Sequence, residues 1–437
     1  MPFPVQAEKR RSGARSRAGL IALLVCLCTL LPPSAQAQVL GQLIASALAS
    51  HPAAQGQRAL VESSQAGVDS ARWQFYPTPS VSVEAANGSA ADPLYRGDNR
   101  VSTARLQQPL WTGGRLTAGV DKAEAELFLS QASLEEVRLQ LGLRVLQAYG
   151  DWLSAQLKTL ANEKSFATHV RLREQVKRRL SEGASAESDL RLAVARLEAI
   201  SADVTAGRTQ REIALARLGQ LLGHPVDGAA LTVAPAAPRA LDGSAQAMLE
   251  MAIGISPTVA KAQAQARVQE AVIAERRADL SPEVYARVER QYGNYSFANG
   301  APENRLFIGI TTRFGAGLST LSNVQAARSQ HAAALTEIEV QSRSVSEQVL
   351  SDYALALSAA SRLAATNASL QAAEDVSASY DRQFLVGRKS WLDVMNAARE
   401  LAQTESQWAD LKATQVVLTW RLAAYTRGIA AVTGEVK

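Results

Sequence analysis

Hydrophobic and polar positions along this chain follow two different periods, and the periods occur in the same order twice. Alternation with a period of two residues, typical of β-strands, runs through 81–84, 284–289 and 306–311. It is weaker in 101–108. A helical pattern with heptad-spaced apolar residues then continues without proline over 115–182, and again over 318–386. At a rise of 1.5 Å per residue, each long helix would span roughly 100 Å. The pattern predicts packed coiled-coil helices beside short amphipathic strands.

The two halves of the chain form an internal repeat, because matching segments recur in the same order. The matches are ALASHPAAQGQ with AIGISPTVAKAQ, WTGG with FGAG, VLQAYGDWL with VLSDYALAL, and LSEGASAESDL with FLVGRKSWLDV. The last match aligns Gly183 with Gly387 and Asp189 with Asp393, in both cases 204 residues apart. A duplication predicts that each half folds as helix, two strands, a very long helix, a glycine break and a further helix.

These patterns divide the chain into five segments. We expect a signal peptide at 1–37, a first repeat at 38–223, a Pro/Ala linker at 224–243, a second repeat at 244–428 and a C-terminal tail at 429–437. The first segment has a basic start, the apolar run LIALLVCLCTLL and the ending AQA. These are the features of a secretory signal peptide, so we expect the chain to be exported.

Removing the expected signal peptide changes the charge. The whole chain has a formal net charge of +5, from 46 Lys and Arg and 41 Asp and Glu. Five of the basic residues and one acidic residue lie in 1–37, which leaves 41 and 40, a net charge of +1. A nucleic-acid partner therefore loses its main support. The charged stretch 171–179 is interpreted as a solvated face of a coiled coil.

Residues that would carry chemistry are scarce. Both cysteines, Cys26 and Cys28, lie in the expected signal peptide, so no disulfide or thiol chemistry is expected in the exported chain. The four histidines have no metal-ligand spacing to one another, and no phosphate-binding loop or hydrolase serine motif occurs. We expect no enzyme activity, no metal and no cofactor.

Aromatic residues collect at the ends of the predicted strands, at Tyr76, Trp111, Tyr292 and Phe314. After residue 37 no stretch is apolar for 18 residues, so no transmembrane helix is predicted. Apolar stripes with aromatic ends instead favour the lipid-facing band of an outer-membrane β-barrel. Four strands cannot close a barrel in lipid, so several copies of the chain would have to contribute. A pair of soluble hairpins packed on a helix is the alternative.

The segment QFLVGRKSWLDVMNAARE at 383–400, the HP dipeptide at 51–52 and QPLWTGG resemble the outer-membrane efflux and secretion channels of the TolC family. The resemblance covers essentially the whole chain after residue 37. It implies an α+β membrane protein and a homotrimer. Three copies with four strands each would form a 12-stranded β-barrel in outer-membrane lipid. The barrel would continue into a long α-helical coiled-coil tunnel in the periplasm.

The resemblance also assigns residues around the two glycine breaks. Gly183 and Gly387 would form the turns at the periplasmic tip, and an adaptor would contact this tip. The further residues in that expected contact are Ser185, Ser390 and Trp391. Three copies of Asp393 would form an acidic ring at the pore constriction. Asn396 stands where the family has a second acidic residue, which implies a weaker preference for cations.

A gate lock is the second implication for the tip. Lys389, with its neighbour Arg388, occupies the place of a basic residue that would bridge to Asp189 and hold the resting tip closed. The alternative is that Asp189 and Asp393 cap the helices after the turns, since carboxylates favour N-terminal turns. For Asp189 the two interpretations are equal. For Asp393 the pore role is favoured, because six residues beyond the glycine is late for a cap.

The function that the resemblance implies is a passive conduit in a tripartite export system. A periplasmic adaptor, or membrane fusion protein, would connect it to an inner-membrane ABC transporter or a proton-driven pump. The segment 383–400 is most similar to channels for type I secretion of large adhesin-like proteins, and small-molecule efflux is the alternative. A second alternative is an exported periplasmic coiled-coil protein with a structural role.

Overall fold

The computed structural model describes residues 40–86, 94, 96–233, 244–298, 300–312 and 319–433. The predicted signal peptide at 1–37, the aromatic residue Phe314 and the linker residues 234–243 lie outside these described residues.

Helices form most of the described chain. They are α1 (Leu40–Ser50), α2 (Pro52–Trp73), α3 (Arg115–Ser181), α4 (Glu187–Leu222), α5 (Ala245–Ile255), α6 (Pro257–Ala278), α7 (Ser319–Leu385), α8 (Trp391–Arg427) and α9 (Ile429–Thr433). The strands are β1 (Thr78–Ala85), β2 (Arg100–Trp111), β3 (Glu283–Tyr292) and β4 (Glu303–Thr311). The long helices α3 and α7 have 67 residues each and end within one residue of the predicted ends. Helix α9 lies in the region predicted as a C-terminal tail.

The four strands form one antiparallel sheet in the order β1-β2-β3-β4. Strand β2, whose pattern is weak in the sequence, extends through Pro109 to Trp111 with an irregularity between these two residues. It pairs with strands on both sides, so neighbouring backbone groups stabilise it. Strands β1 and β4 are the two edges, and every residue of β1 is exposed.

The sheet has two chemically different faces, because opposed residues of paired strands project to the same side. The apolar face includes Val81, Val83, Leu106, Val288, Leu306, Ile308 and Ile310. On it Leu306 is 72% exposed and Ile308 is 75% exposed. The polar face includes Arg105, Gln107, Arg287, Glu289, Glu303 and Arg305. On the polar face, Glu289 accepts a hydrogen bond from Arg105 at 2.6 Å and forms an ion pair with Arg287 at 3.0 Å.

Helix α3 lies in the interior of a layer of side-by-side helices. Next to the sheet, α3 packs between α2 and α6, and α7 packs on the other side of α6. Farther from the sheet, α3 packs between α4 and α8, and α7 packs on the other side of α8. The order is therefore α2–α3–α6–α7 in one half of the layer and α4–α3–α8–α7 in the other.

The main hydrophobic core lies near the middle of α3, where α1, α4, α8 and α9 meet it. Tyr149 and Trp152 of α3 are fully buried here, and the Tyr149 hydroxyl donates to the carbonyl of Thr232. Gly150 lets α8 approach closely, because a Cβ at this position would lie 2.2 Å from Val417. Among the helices of the described residues, none combines the length and apolar character that crossing a bilayer requires.

Candidate functional site

Two turns join the long helices to the helices that follow them. The first turn, 182–186, connects α3 to α4, and the second turn, 386–390, connects α7 to α8. Gly183 and Gly387 have φ angles of 74° and 76°, in the left-handed region that residues with side chains rarely adopt. Apart from the glycine and its two chain neighbours, no residue has an atom within 4 Å of a Cβ built at either position. The backbone conformation, and not a lack of space, therefore requires glycine.

The second turn ends in a capping box. The Ser390 hydroxyl oxygen accepts from the Asp393 amide at 3.2 Å, while the Asp393 carboxylate accepts from the Ser390 amide at 3.1 Å and from its hydroxyl at 2.8 Å. The expectation that Asp393 lies too late for a cap is wrong. Helix α8 begins only at Trp391, so Asp393 is its third residue. The Ser390 hydrogen bonds hold the pKa of the Asp393 carboxyl below its usual range.

The first turn has half of this arrangement. The Asp189 carboxylate accepts a hydrogen bond from the Ala186 amide at 3.2 Å. Ala186 stands where the second turn has Ser390, and an alanine side chain cannot accept a hydrogen bond. Asp189 is thus a helix cap within this chain, as the alternative interpretation expected.

The structure does not bring the expected gate-lock residues together within one chain. Lys389 lies over the ring of Tyr380, with its Nζ 4.3 Å from the ring centroid. The carboxylate of Asp189 is hydrogen-bonded to its own helix start. The side chain of Arg388 is exposed. A contact between Asp189 and Lys389 would need another copy of the chain, or a change at both turns.

The remaining tip residues differ in burial. Asn396 is exposed and lies three residues after Asp393, on the same side of α8. Ser185 is partly exposed, and Trp391 is partly buried against a small apolar cluster. This cluster, which we call the tip cluster, consists of Leu172, Phe384, Val394 and Met395, with Tyr380 and Trp391 at its margin.

Arg179 of α3 fixes the tip cluster to the second turn. Its guanidinium donates to the Phe384 carbonyl at 2.8 Å and lies 4.1 Å from the centroid of the Phe384 ring. The Phe384 side chain is 2% exposed. This carbonyl also accepts from the Gly387 amide at 3.1 Å. Arg179 therefore adds a charged hydrogen bond at the C-terminal end of α7, where the helix dipole favours a cation.

Four more side chains of α3 reach the second pair of long helices, and with Arg179 they form what we call the α3 ladder. The contacts are Ser154 to Asp410 at 2.6 Å, Lys158 to Asp410 at 2.6 Å, Lys164 to Glu405 at 2.7 Å and to Glu374 at 3.1 Å, and Arg171 to Asp381 at 3.3 Å. The hydrogen bond that Lys164 donates to Glu405 is the main cause that raises the pKa of Lys164. The ladder ties α3 to both α7 and α8 along the half of the layer that ends in the turns.

Sequence reasoning missed the ladder, because it assigned the stretch 171–179 to a solvated face. Arg171 and Arg179, at the two ends of that stretch, make cross-helix contacts instead. A signal was present in the spacing. Lys158, Lys164, Arg171 and Arg179 recur at intervals close to seven residues, which places them on one side of a coiled-coil helix.

The expected membrane-interface aromatics lie at opposite ends of the sheet. Tyr76 and Trp111 are at the end next to the helices, and Tyr292 is at the far end. All three side chains are exposed. Trp73, which the sequence did not single out, is 68% exposed and lies 5.1 Å from Tyr76 between ring centroids. It adds an aromatic ring to the end next to the helices.

Comparison with known proteins places this geometry in a family. The sequence model of the family described as outer membrane efflux protein matches residues 43–224 and 248–426. Protein CyaE of Bordetella pertussis is 29% identical over 163 residues, which is 35% of this chain and 34% of CyaE. The match therefore spans about a third of the length of that relative.

Solved structures share the fold over most of the chain. CusC aligns with a TM-score of 0.75 at 17% identity, covering 89% of this chain and 91% of that one. VceC of Vibrio cholerae aligns with a TM-score of 0.73 at 18% identity, covering 89% and 96%. The open state of the MtrE outer membrane channel of Neisseria gonorrhoeae aligns with a TM-score of 0.72 at 18% identity, covering 91% and 94%. The family match extends over most of this chain, so the chain belongs to the outer membrane efflux proteins, the TolC-type channels of the outer membrane with a periplasmic tunnel.

Proposed function

We propose that three copies of this chain form a passive conduit through the outer membrane. The observation that carries this proposal is the pair of open edges of the sheet, β1 and β4. Open edges are not tolerated in lipid, so β4 of one copy must pair with β1 of the next. Two copies would give eight strands, whose interior is filled by side chains. Three copies give twelve strands and room for a lumen.

The helical layer supports the same assembly. It also has two open edges, α7 on one side and α2 or α4 on the other. Three copies would close into a ring of twelve helices at both levels. The polar face of the sheet would line the lumen, and the apolar face would contact lipid. Heat-modifiable, SDS-resistant trimers in the outer-membrane fraction are expected, and a soluble periplasmic monomer would refute the assembly.

The tip of the tunnel would contain the constriction. Asp393 from three copies would form one acidic ring, with exposed Asn396 one helical turn away. A ring of carboxylates selects cations, and the amide of Asn396 adds no charge. In planar bilayers, Asp393→Asn is expected to abolish the cation preference, while Asn396→Asp strengthens it. An unchanged reversal potential in Asp393→Asn would refute the ring.

The gate lock between Asp189 and Lys389 stays a prediction. Its formation would require a neighbouring copy, because within one chain Lys389 lies over Tyr380. Neutralising the cation with Lys389→Gln is expected to raise the resting conductance. An unchanged conductance would exclude the lock and leave the α3 ladder as the contact that restrains the tip.

We propose that the exported substrate is a large, adhesin-like protein delivered by type I secretion. An inner-membrane ABC transporter and a periplasmic adaptor would supply the energy and the connection, and the adaptor would contact the two turns. The segment 383–400, which contains the second turn and the capping box, supports this proposal by its resemblance to secretion channels.

Small-molecule efflux through a proton-driven pump is the alternative, and the name of the matching family favours it. The second alternative, an exported periplasmic coiled-coil protein, leaves the exposed apolar face of the sheet without a partner.

Deletion of the gene separates these functions. Surface and supernatant proteins and sensitivity to drugs and dyes are measured in parallel, with the plasmid-borne gene as control. Loss of one large exported protein with unchanged sensitivity supports secretion. Drug hypersensitivity with a normal set of exported proteins refutes it in favour of efflux.

A further inference from the structure

The apolar face of the sheet carries two arginines in the half of the sheet farthest from the helices. Arg100 is the first residue of β2 and pairs with Ala85, which is two residues beyond Val83. Arg290 lies two residues before the end of β3 and pairs with Ala104. Alternation along the strands places both arginines on the apolar face. Both side chains are exposed.

The surroundings of Arg290 are polar and aromatic. Its guanidinium carbon lies 5.2 Å from the ring centroid of Tyr292 on the same strand. Asn304 is its direct partner on β4. Within the part of the chain that the structure describes, neither Arg100 nor Arg290 makes an ion pair.

The arginines that border the opposite end of the sheet are different. Arg72, near the C-terminal end of α2, pairs with Glu124 at 2.8 Å, and Arg115, the first residue of α3, pairs with Glu283 at 3.3 Å. These two arginines belong to helices and have carboxylate partners, whereas Arg100 and Arg290 have none among the described residues. On the apolar face of the described strands, Arg100 and Arg290 are the only charged residues, so the charge of that face lies in the half away from the helices.

An arginine on a lipid-facing surface needs an anion from the membrane. Its long apolar stem can lie along the strand while the guanidinium extends toward the headgroups. The planar guanidinium binds phosphate through two parallel hydrogen bonds. The aromatic ring and the amide next to Arg290 fit the boundary between acyl chains and headgroups, where one side of a ligand is apolar and the other is polar.

The geometry points to a binding site for the phosphate groups of an anionic glycolipid of the outer leaflet, formed by Arg100, Arg290, Tyr292 and Asn304. This inference rests on the proposed barrel, since only a closed barrel turns the apolar face toward lipid. Arg100 and Arg290 are on adjacent strands and about 13 Å apart along the strand direction, four residues at roughly 3.3 Å each. Two phosphates of one headgroup, or of neighbouring lipids, can therefore be bound together.

The experiment compares purified full-length trimers in detergent. The temperature at which SDS-resistant trimers dissociate is measured with bisphosphorylated lipid A, with the same lipid after removal of its phosphates, and with inorganic phosphate. The test variant is Arg100→Gln/Arg290→Gln. The matched control is Arg305→Gln, one residue from Asn304 but on the polar face, where Arg305 forms an ion pair with Glu303. Arg100→Lys/Arg290→Lys retains the charge.

We expect the phosphorylated lipid to raise the dissociation temperature of the wild type, of Arg305→Gln and of the Lys pair. The Gln pair should lose at least half of this shift while forming trimers without lipid. A full shift in the Gln pair, or an equal shift with inorganic phosphate or dephosphorylated lipid, would overturn the lipid site. Failure of the wild type to form trimers would overturn the barrel proposal itself, and the lipid site with it.

Discussion

The first and second turns have the same backbone and different side chains. Each has a glycine with a left-handed φ angle, and each is followed by an aspartate as the third residue of the next helix. The first turn contains the acidic residue Glu182 and no Lys or Arg, whereas the second contains Arg388 and Lys389. The duplication has therefore preserved the conformation that reverses the chain, while the chemistry of the two turns has diverged.

The two turns differ in packing as well as in charge. The second turn follows Phe384, which is buried in the tip cluster and bound by Arg179. The equivalent residue of the first repeat, 204 positions earlier, is Leu180, which is only partly buried. The helix pair α3 and α4 supplies the cation, and the helix pair α7 and α8 supplies the aromatic ring and the carbonyl. The second turn thus depends on α3 for its position.

The largest expected effect comes from removing the aromatic ring of Phe384, which lies just before the second turn. Phe384→Ala removes a buried side chain and leaves a cavity, at a cost of about 3–5 kcal/mol. Local opening of the second turn should then rise by roughly two orders of magnitude or more. The rate of trypsin cleavage after Arg388 and Lys389 measures this opening, since cleavage requires the backbone to leave its folded conformation.

The control for this comparison is Leu180→Ala in the first repeat. A Glu-specific protease that cuts at Glu182 gives its opening rate. The increase should be smaller than for Phe384→Ala, because Leu180 is partly exposed. Equal increases in the two turns would contradict the view that only the second turn depends on a buried cluster.

The second largest expected effect comes from removing the guanidinium of Arg179. Arg179→Ala loses the charged hydrogen bond to the Phe384 carbonyl and the contact with the ring, for about 1.5–3 kcal/mol. Trypsin cleavage at the second turn should rise about 10- to 100-fold, and resting conductance in planar bilayers should rise with it. Arg178→Ala, at the exposed neighbouring position, should change neither. If both variants behave alike, the effect is one of charge alone and the Arg179 contact carries no structural role.

Single substitutions can exchange the capping interactions of the two turns. Ser390→Ala removes the hydroxyl that accepts from the Asp393 amide, at a cost of about 1 kcal/mol. Ala186→Ser would complete the box of the first turn and stabilise it by a similar amount. Opening of the second turn should therefore increase, and opening of the first should decrease, each about fivefold. Changes of the same sign at both turns would show that the caps do not control opening.

The smallest expected effect is on the pH at which the Asp393 carboxylate is protonated. Because Ser390 holds the pKa of Asp393 below its usual value of about 3.9, the carboxylate stays ionised at mildly acidic pH. Its contribution to stability is present above the unfolded pKa and is lost as pH falls through the lower folded pKa. The cation preference of the proposed ring should be constant from about pH 7 to about pH 5 and decline only below about 3.9.

The variant Ser390→Ala should shift that decline to higher pH, toward the usual carboxyl value. The reversal potential in bilayers, measured across the pH range in both proteins, provides the test. A wild-type decline that is complete by about pH 5 would contradict the lowered pKa.

The sequence alone predicted the long helices and the glycine breaks well, because both follow from local chemistry. Absence of proline and a regular apolar spacing set the extent of α3 and α7, and a left-handed conformation requires glycine at 183 and 387. The distance of Asp393 from Gly387 was wrongly judged too long for a cap. The Ser390-x-x-Asp393 pattern resembles a capping box and could have identified Trp391 as the first helical residue.

Contacts between the two repeats could not be predicted in this way. Arg179 and Phe384 are 205 residues apart in sequence, and no periodicity indicates that one lies over the other. A charged stretch on a helix is compatible with solvent and with an ion pair across an interface. Only the packing of α3 between α4 and α8 decides between them.

Helices α3 and α7 have equal lengths, 67 residues each. The length of each repeat therefore constrains the length of the other. The sheet aligns one pair of their ends and the tip cluster aligns the other. An insertion in α3 alone would displace Arg179 past Phe384, and one in α7 alone would do the reverse. Lengthening the molecule would therefore require the same number of residues in α3, α4, α7 and α8 at once. Viable insertions and deletions in relatives should occur as matched sets, in whole heptads that keep the α3 ladder in register.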